Sequence, residues 1–199
     1  MSLSAANIKR AQLLLHGLQA SGVEDYVLSP GSRNTPLVLA LEWLQELHGQ
    51  DKIRIHRILD ERSAGFFALG LGRVSAMPAA LVCTSGTAGA HYFPAVIEAS
   101  QSNIPLLVLT ADRPEELRGV GSLQTIDQNK LFGDYTRLYL DMGTPSADGP
   151  PDAWVVACAA RAQAAACSNQ GGPVHLNLPF REPLWTPGEE LQSFDLPAV

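Results

Sequence analysis

Two stretches constrain the fold most: Ala79 to Thr84 and Ile104 to Thr110 are unbroken apolar runs of strand length. A strand with one wet face alternates apolar and polar residues, whereas an unbroken run suits a strand covered on both faces, as in a parallel sheet between helical layers. The rest of the chain follows suit. Ser4 can cap a helix reaching about Leu18, whose Ile8, Leu13, Leu14, Leu15 and Leu18 form one broad stripe, and Ser21-Gly22 stops it. Val23 to Ser29 reads as a strand, and Pro30 to Pro36 as a loop into a helix over Leu37 to His48, with Thr35 as cap and Pro36 first. Ile53 to Leu59 alternates like a strand and delivers Glu61 to a helix rich in small residues. A glycine-bearing loop, Ser85 to Ala90, opens a helix to about Ser100. Arg118 to Asp134 is irregular and should drape over one end of the sheet. Tyr135 to Asp141 and Val174 to Leu178 are further strands, separated by a polar linker, Gly143 to Pro151, and an alanine-rich helix, Asp152 to Ser168.

Six strands alternating with helices predict an α/β fold of three layers, a mainly parallel six-stranded sheet with helices on both faces. A chain of 199 residues suits a single domain. We place it at residues 1–183, followed by a tail or linker over 184–199, where prolines recur without periodicity. The 14 basic and 20 acidic residues, net charge −6, form no block of one sign, which argues against a nucleic-acid partner or a polybasic membrane patch. No stretch approaches the roughly 18 apolar residues of a spanning helix, and no secretory leader opens the chain, so no membrane insertion is expected. Cys83, Cys158 and Cys167 fit neither a zinc motif nor a disulfide framework and read as buried free thiols of a cytoplasmic protein. His56, His91 and His175 lack metal-binding spacing, so no metal ligands are assigned.

In a parallel sheet the loops after the strands share one edge, where open α/β folds bind ligands. Pro30 to Thr35, Glu61, Ser85 to Ala88 and Asp112 to Pro114 all fall there. Each has a plain structural reading and a functional one. Asp60 or Glu61 can cap the helix that follows, or Glu61 can present its carboxylate to a ligand. The glycine loop can be a packing turn, or its N–H groups can cradle an anion or lie against a ring; neither Gly-x-Gly-x-x-Gly nor Gly-Lys-Ser/Thr is present to make it a nucleotide loop. Arg33 and Arg113 can be surface ion pairs or forks for substrate carboxylates. No Gly-x-Ser-x-Gly elbow supports a serine hydrolase.

Five motifs in order carry a resemblance: Ser-Pro-Gly-Ser-Arg-Asn-Thr-Pro at 29–36, Asp-Glu-Arg-Ser at 60–63, Thr-Ser-Gly-Thr-Ala at 84–88, Thr-Ala-Asp-Arg-Pro at 110–114 and Val-His-Leu-Asn-Leu-Pro-Phe at 174–180. Together they resemble the amino-terminal pyrimidine-binding domain of the 2-succinyl-5-enolpyruvyl-6-hydroxy-3-cyclohexene-1-carboxylate synthases, thiamine-diphosphate enzymes of menaquinone biosynthesis. The resemblance covers about residues 1–185. It implies a transferase that decarboxylates 2-oxoglutarate and adds the remaining four-carbon unit to isochorismate. It implies that Glu61 is catalytic, hydrogen-bonding the cofactor's aminopyrimidine from a low-dielectric cleft, and that Pro30, Thr84, Ser85 and Gly86 lie beside that ring. Ser32, Arg33, Arg113 and Gln124 then fall where the family holds isochorismate.

Two positions depart from the pattern: Leu123 and His91 stand where some relatives have Asn. The family binds the diphosphate and Mg²⁺ or Mn²⁺ through a Gly-Asp-Gly…Asn motif in a carboxyl-terminal domain, and here Gly133-Asp134 is followed by Tyr135. The expectation is therefore one domain of a longer homodimeric or homotetrameric enzyme, inactive alone. Another thiamine-diphosphate ligase, of acetolactate-synthase type, or a non-catalytic binding module of the same fold remain the alternatives.

Overall fold

Six parallel strands lie in the order β2-β1-β3-β4-β6-β5. They are β1 (Asp25–Leu28), β2 (Arg54–Arg57), β3 (Ala79–Cys83), β4 (Leu106–Asp112), β5 (Leu138–Asp141) and β6 (Pro173–Pro179). The structure, a computed structural model, describes residues 2–146 and 148–187. The helices are α1 (Leu3–Ala20), α2 (Thr35–His48), α3 (Glu61–Ser75), the single turn α4 (Thr87–Ala90), α5 (Phe93–Gln101) and α6 (Asp152–Ala166).

Alternation along the strands builds two cores. Tyr26, Leu28, Ala80, Val82, Leu107, Leu109, Val174 and Leu176 face α1, α2 and α6. Their neighbours Val27, Leu81, Cys83, Leu106 and Val108 face α3, α4 and α5. The central strands β3, β4 and β6 are buried at every residue, which is why their sequences carry no wet face. The edge strands β2 and β5 are only half-covered.

Element ends differ from the sequence expectations for local reasons. Ser2, not Ser4, caps α1, accepting from Ala5 N at 3.0 Å, while Ser4 is buried inside the helix. Thr35 is the first helical residue of α2 rather than its cap, and Asn34 in the cap position turns its amide inward to Ser29 O at 2.9 Å. The stretch from Ser85 to Ser100 holds two helices, not one. Tyr135 lies in a 3₁₀ turn ahead of β5. β4 runs on to Asp112 because β6 pairs with it along its whole length, Thr110 opposite Asn177 and Asp112 opposite Pro179. Residues 188–199 of the expected tail lie outside the described residues.

The connections after β1 and β3 leave in opposite senses, α2 leading outward to β2 and the α4–α5 pair leading to β4 on the other face. This switch point opens a crevice at the carboxyl edge between β1 and β3.

Candidate active site

The loop after β1 closes directly on the end of β3. Ser29 N donates to Val82 O at 2.9 Å, Ser29 Oγ donates to Ile58 O at 2.9 Å, and Arg33 N donates to Thr84 Oγ1 at 3.2 Å. Gly31 is pressed so tightly on Thr84 that a Cβ there would come within 2.4 Å of the threonine Cβ, so only glycine fits. Pro30 and Ser32 remain exposed on the rim.

The loop after β3 is held from the other side by the irregular segment. Gly86 has φ +83°, a conformation that favours glycine, and a Cβ there would meet Gln124 at 3.0 Å. Ser85 Oγ donates to Gln124 O and Gln124 Nε2 donates to Ser85 O, both at 3.2 Å. Arg113 donates through Nε and Nη2 to Leu123 O, at 3.3 and 3.1 Å. Ser85, Gly86, Arg113 and Gln124 therefore meet in one patch, and Thr84, next to Ser85, is bonded to Arg33 N on its other side. The Gly86 N–H is not free to cradle an anion: it donates to the buried Gln128 Oε1 at 2.8 Å.

Arg33 is placed differently from Arg113. Its side chain is 2% exposed, Nη1 donates to Phe180 O at 2.9 Å, and Nη2 pairs with Glu182, which is itself 70% exposed. The guanidinium is thus tied to the segment leaving β6. That segment is also held to α1 by Asn7 Nδ2 donating to Arg181 O at 2.7 Å. An open cavity of about 690 Å³ lies beside it, lined by Ser32, Thr35 and Glu182–Trp185.

Glu61 opens α3, half-buried, and the capping function falls to its neighbour. Asp60 Oδ1 accepts from Ser63 N at 2.8 Å, and that bonding holds the Asp60 carboxyl below the usual carboxylate range. Glu61 makes no hydrogen bond or ion pair among the described residues. Its charge is felt by two buried groups from neighbouring elements. Burial raises the Cys83 thiol and the Tyr92 phenol, and Glu61 adds to both shifts. His91 stands near enough to Asp60 to stabilise its charge, so the starts of α3 and α5 converge at this edge.

Behind the patch runs a buried polar relay that motif reading passed over. Gln128 Nε2 donates to Ala111 O at 3.1 Å and to Asn177 Oδ1 at 2.9 Å; Asn177 Nδ2 donates to Asp112 Oδ2 at 2.9 Å; Arg118 Nη2 pairs with the same Asp112 oxygen at 2.9 Å. Thr110 Oγ1 donates to Asn177 Oδ1 at 2.9 Å and lies 2.8 Å from His175 Nε2. Burial pushes the Asp112 carboxyl up, against the opposing effects of Asn177 and Arg118, and burial holds the His175 imidazole down to about 3. The signal was present in the last strand: His175 and Asn177 point to one face of a fully covered β6 and need polar partners there.

Residues 8–131 match the family model described as thiamine pyrophosphate enzyme, N-terminal TPP binding domain. Curated proteins named 2-succinyl-5-enolpyruvyl-6-hydroxy-3-cyclohexene-1-carboxylate synthase are also similar. The one from Thermobifida fusca is 50% identical over 87% of this chain and 30% of its own length. Those from Myxococcus xanthus and Haloarcula marismortui are 47% and 48% identical over 97% and 100% of this chain, and 32% and 33% of their own lengths. The chain thus spans about a third of the length of these relatives. With the parallel sheet, the switch-point crevice and this match in agreement, the chain belongs to the thiamine pyrophosphate enzyme family, as its N-terminal TPP-binding domain.

Proposed function

We propose that this chain is the pyrimidine-binding part of a longer, cytoplasmic 2-succinyl-5-enolpyruvyl-6-hydroxy-3-cyclohexene-1-carboxylate synthase, acting on 2-oxoglutarate and isochorismate. The observation that carries the reading is Glu61: Asp60 takes over the cap of α3, leaving the Glu61 carboxylate uncommitted at the ligand-binding edge of the sheet. Thiamine diphosphate, when bound, supplies the electron sink for losing carbon dioxide and forming the new carbon–carbon bond. In this role Glu61 would hydrogen-bond the aminopyrimidine ring, and Pro30, Thr84, Ser85 and Gly86 would form the wall beside it. The tight Gly31–Thr84 contact and the Ser85–Gln124 pair keep that wall rigid without a bulky side chain intruding, which fits a flat ring.

Ser32, Arg113 and Gln124 face the acceptor, with Arg113 as the carboxylate fork. Arg33 joins them by fixing the loop from behind and lending its positive charge. By the family resemblance, the diphosphate and its Mg²⁺ or Mn²⁺ fall to another part of the longer enzyme; as a separate fact, the described residues hold no group of three or more His, Cys, Asp or Glu that could hold a metal ion. Among them, too, no helix is long and apolar enough to cross a membrane. The exposed Phe66, Phe67 and Val74 of α3 offer the face for a second subunit.

The test is isochorismate consumption by the full-length protein with 2-oxoglutarate, thiamine diphosphate and Mg²⁺, followed in the ultraviolet with each component omitted in turn. Loss that requires all of them supports the assignment. A folded, cofactor-bound protein that leaves isochorismate untouched refutes it.

A further inference from the structure

The buried relay behind the glycine loop has a fixed polarity. Thr110 spends its one hydroxyl proton on Asn177 Oδ1, so it must accept from His175, whose proton therefore sits on Nε2. Asn177 then presents its oxygen to Thr110 and Gln128 and its NH₂ to Asp112. Gln128 must turn its NH₂ toward Asn177 Oδ1 and Ala111 O, which leaves its oxygen for the Gly86 N–H. Reversing the Gln128 amide would set donor against donor at Gly86 and acceptor against acceptor at both Ala111 and Asn177.

Gln128 is 1% exposed and bonded at both ends of its amide, which is more than a loop residue needs to be covered. Four residues earlier in the same segment stands Gln124, itself bonded reciprocally to Ser85. One amide thus ties together the two loops that, on the proposed function, line the cofactor's pyrimidine and the acceptor. Its anchor is the Asn177–Asp112–Arg118 chain, rooted in β6 and β4.

We propose that Gln128 is a positioning residue that locks the Ser85–Gly86 loop and the Leu123–Gln124 turn into one unit, so that the cofactor and acceptor subsites are set together. It touches neither ligand and acts through Gly86 and through its own segment. The inference rests on the site assignment under the proposed function, but the relay itself does not.

The experiment uses full-length enzyme and the variants Q128E and Q128M. The glutamate variant keeps size and an acceptor for Gly86 but places carboxylate oxygen against Ala111 O and Asn177 Oδ1. The methionine variant keeps length and leaves the Gly86 N–H and Asn177 Oδ1 without their amide partner. An unsatisfied buried group of this kind corresponds to about a tenfold effect or more. The expected result is that both variants raise, by about tenfold, both the half-saturating thiamine diphosphate concentration and the KM for isochorismate, with kcat at saturation changed less than about threefold. Hydrogen exchange of the full-length protein, read on peptides spanning 84–90 and 122–128, should rise in both segments together while β1 and α1 keep their protection.

A rise in only one of the two constants, or exchange that rises in only one segment, overturns the coupling. Uniform loss of protection with unchanged constants makes Gln128 merely structural and overturns it too. If Q128E does not fold, Q128M decides alone. If wild-type enzyme consumes no isochorismate, the function reading fails while the exchange measurement still decides whether Gln128 locks the two segments.

Discussion

Acid should weaken this domain through His175, and the size of the effect follows from where its second proton would go. Nε2–H donates to Thr110, so a proton arriving on the ring must sit on Nδ1, which is buried with no hydrogen-bond partner among the described residues. The ring is packed edge-on against Phe132 at 4.9 Å and beside Tyr139 at 5.2 Å, so its surroundings are largely aromatic. Burial accordingly holds the folded-state value at about 3, against 6.5 for an ordinary histidine. The folded state refuses a proton that the unfolded state accepts. Stability is therefore fully present above the unfolded value and is lost as pH falls from about 6.5 toward 3. Each unit removes about 1.4 kcal/mol, so a few kcal/mol are lost by pH 4.5. Asp112 opposes this in part, because a carboxyl raised by burial takes its proton more readily in the folded state. The assay is urea unfolding of the chain, followed by circular dichroism at several pH values between 7.5 and 4.5, for wild type and His175→Gln. The glutamine keeps a donor for Thr110 and does not titrate. The wild-type advantage should shrink by about 1.4 kcal/mol per unit below pH 6.5, so the two curves converge. Parallel curves would refute the reasoning.

Glu61→Gln in the full-length enzyme should abolish turnover yet change the melting free energy by less than about 0.5 kcal/mol, since Asp60 carries the cap; near-normal turnover would remove Glu61 from the mechanism. Gly31→Ala drives a methyl into Thr84 and should destabilise by about 1–3 kcal/mol, with a matching rise in the half-saturating cofactor concentration, measured by denaturation and by titration with thiamine diphosphate. Glu182→Ala leaves the buried Arg33 guanidinium with the Phe180 carbonyl as its remaining partner and should destabilise by about 1–3 kcal/mol, between the values of exposed and buried pairs. A double-mutant cycle with Arg33→Met checks it: additivity within about 0.5 kcal/mol would show that the pair contributes nothing.

The layers were legible because the unbroken runs of β3 and β4 admit few other architectures, and because loops after parallel strands must share an edge. Glu61, the glycine loop and Arg113 could be placed on that edge from the sequence alone. What could not be read was direction. Arg33 lies in the expected loop, yet its fork turns back to Phe180 and Glu182, a contact across nearly 150 positions of sequence that no local pattern encodes. The glycine loop was legible as a turn, but its N–H is spent on Gln128, which sits in a segment without periodicity. The start of α2 slipped for a related reason: Asn34, in the cap position, turns its amide to Ser29 O instead of capping, so a side chain that serves loop closure escapes rules written for helices.

α3, which Glu61 opens, has two unlike sides. α3 packs inward through its small residues, Ala64, Gly65, Ala68 and Gly72, so closely that a Cβ on Gly72 would meet Pro105 O at 2.5 Å. Leu69 is the bulky side chain buried among them and Leu71 packs partly against the same core, while Phe66, Phe67 and Val74 are exposed. A helix that turns small residues to its own core and aromatic ones to solvent is built to be covered by something else. A surface docked on the aromatic side would cover α3 without covering Glu61, which by helical spacing shares the side of Ala64, Gly65, Ala68 and Gly72.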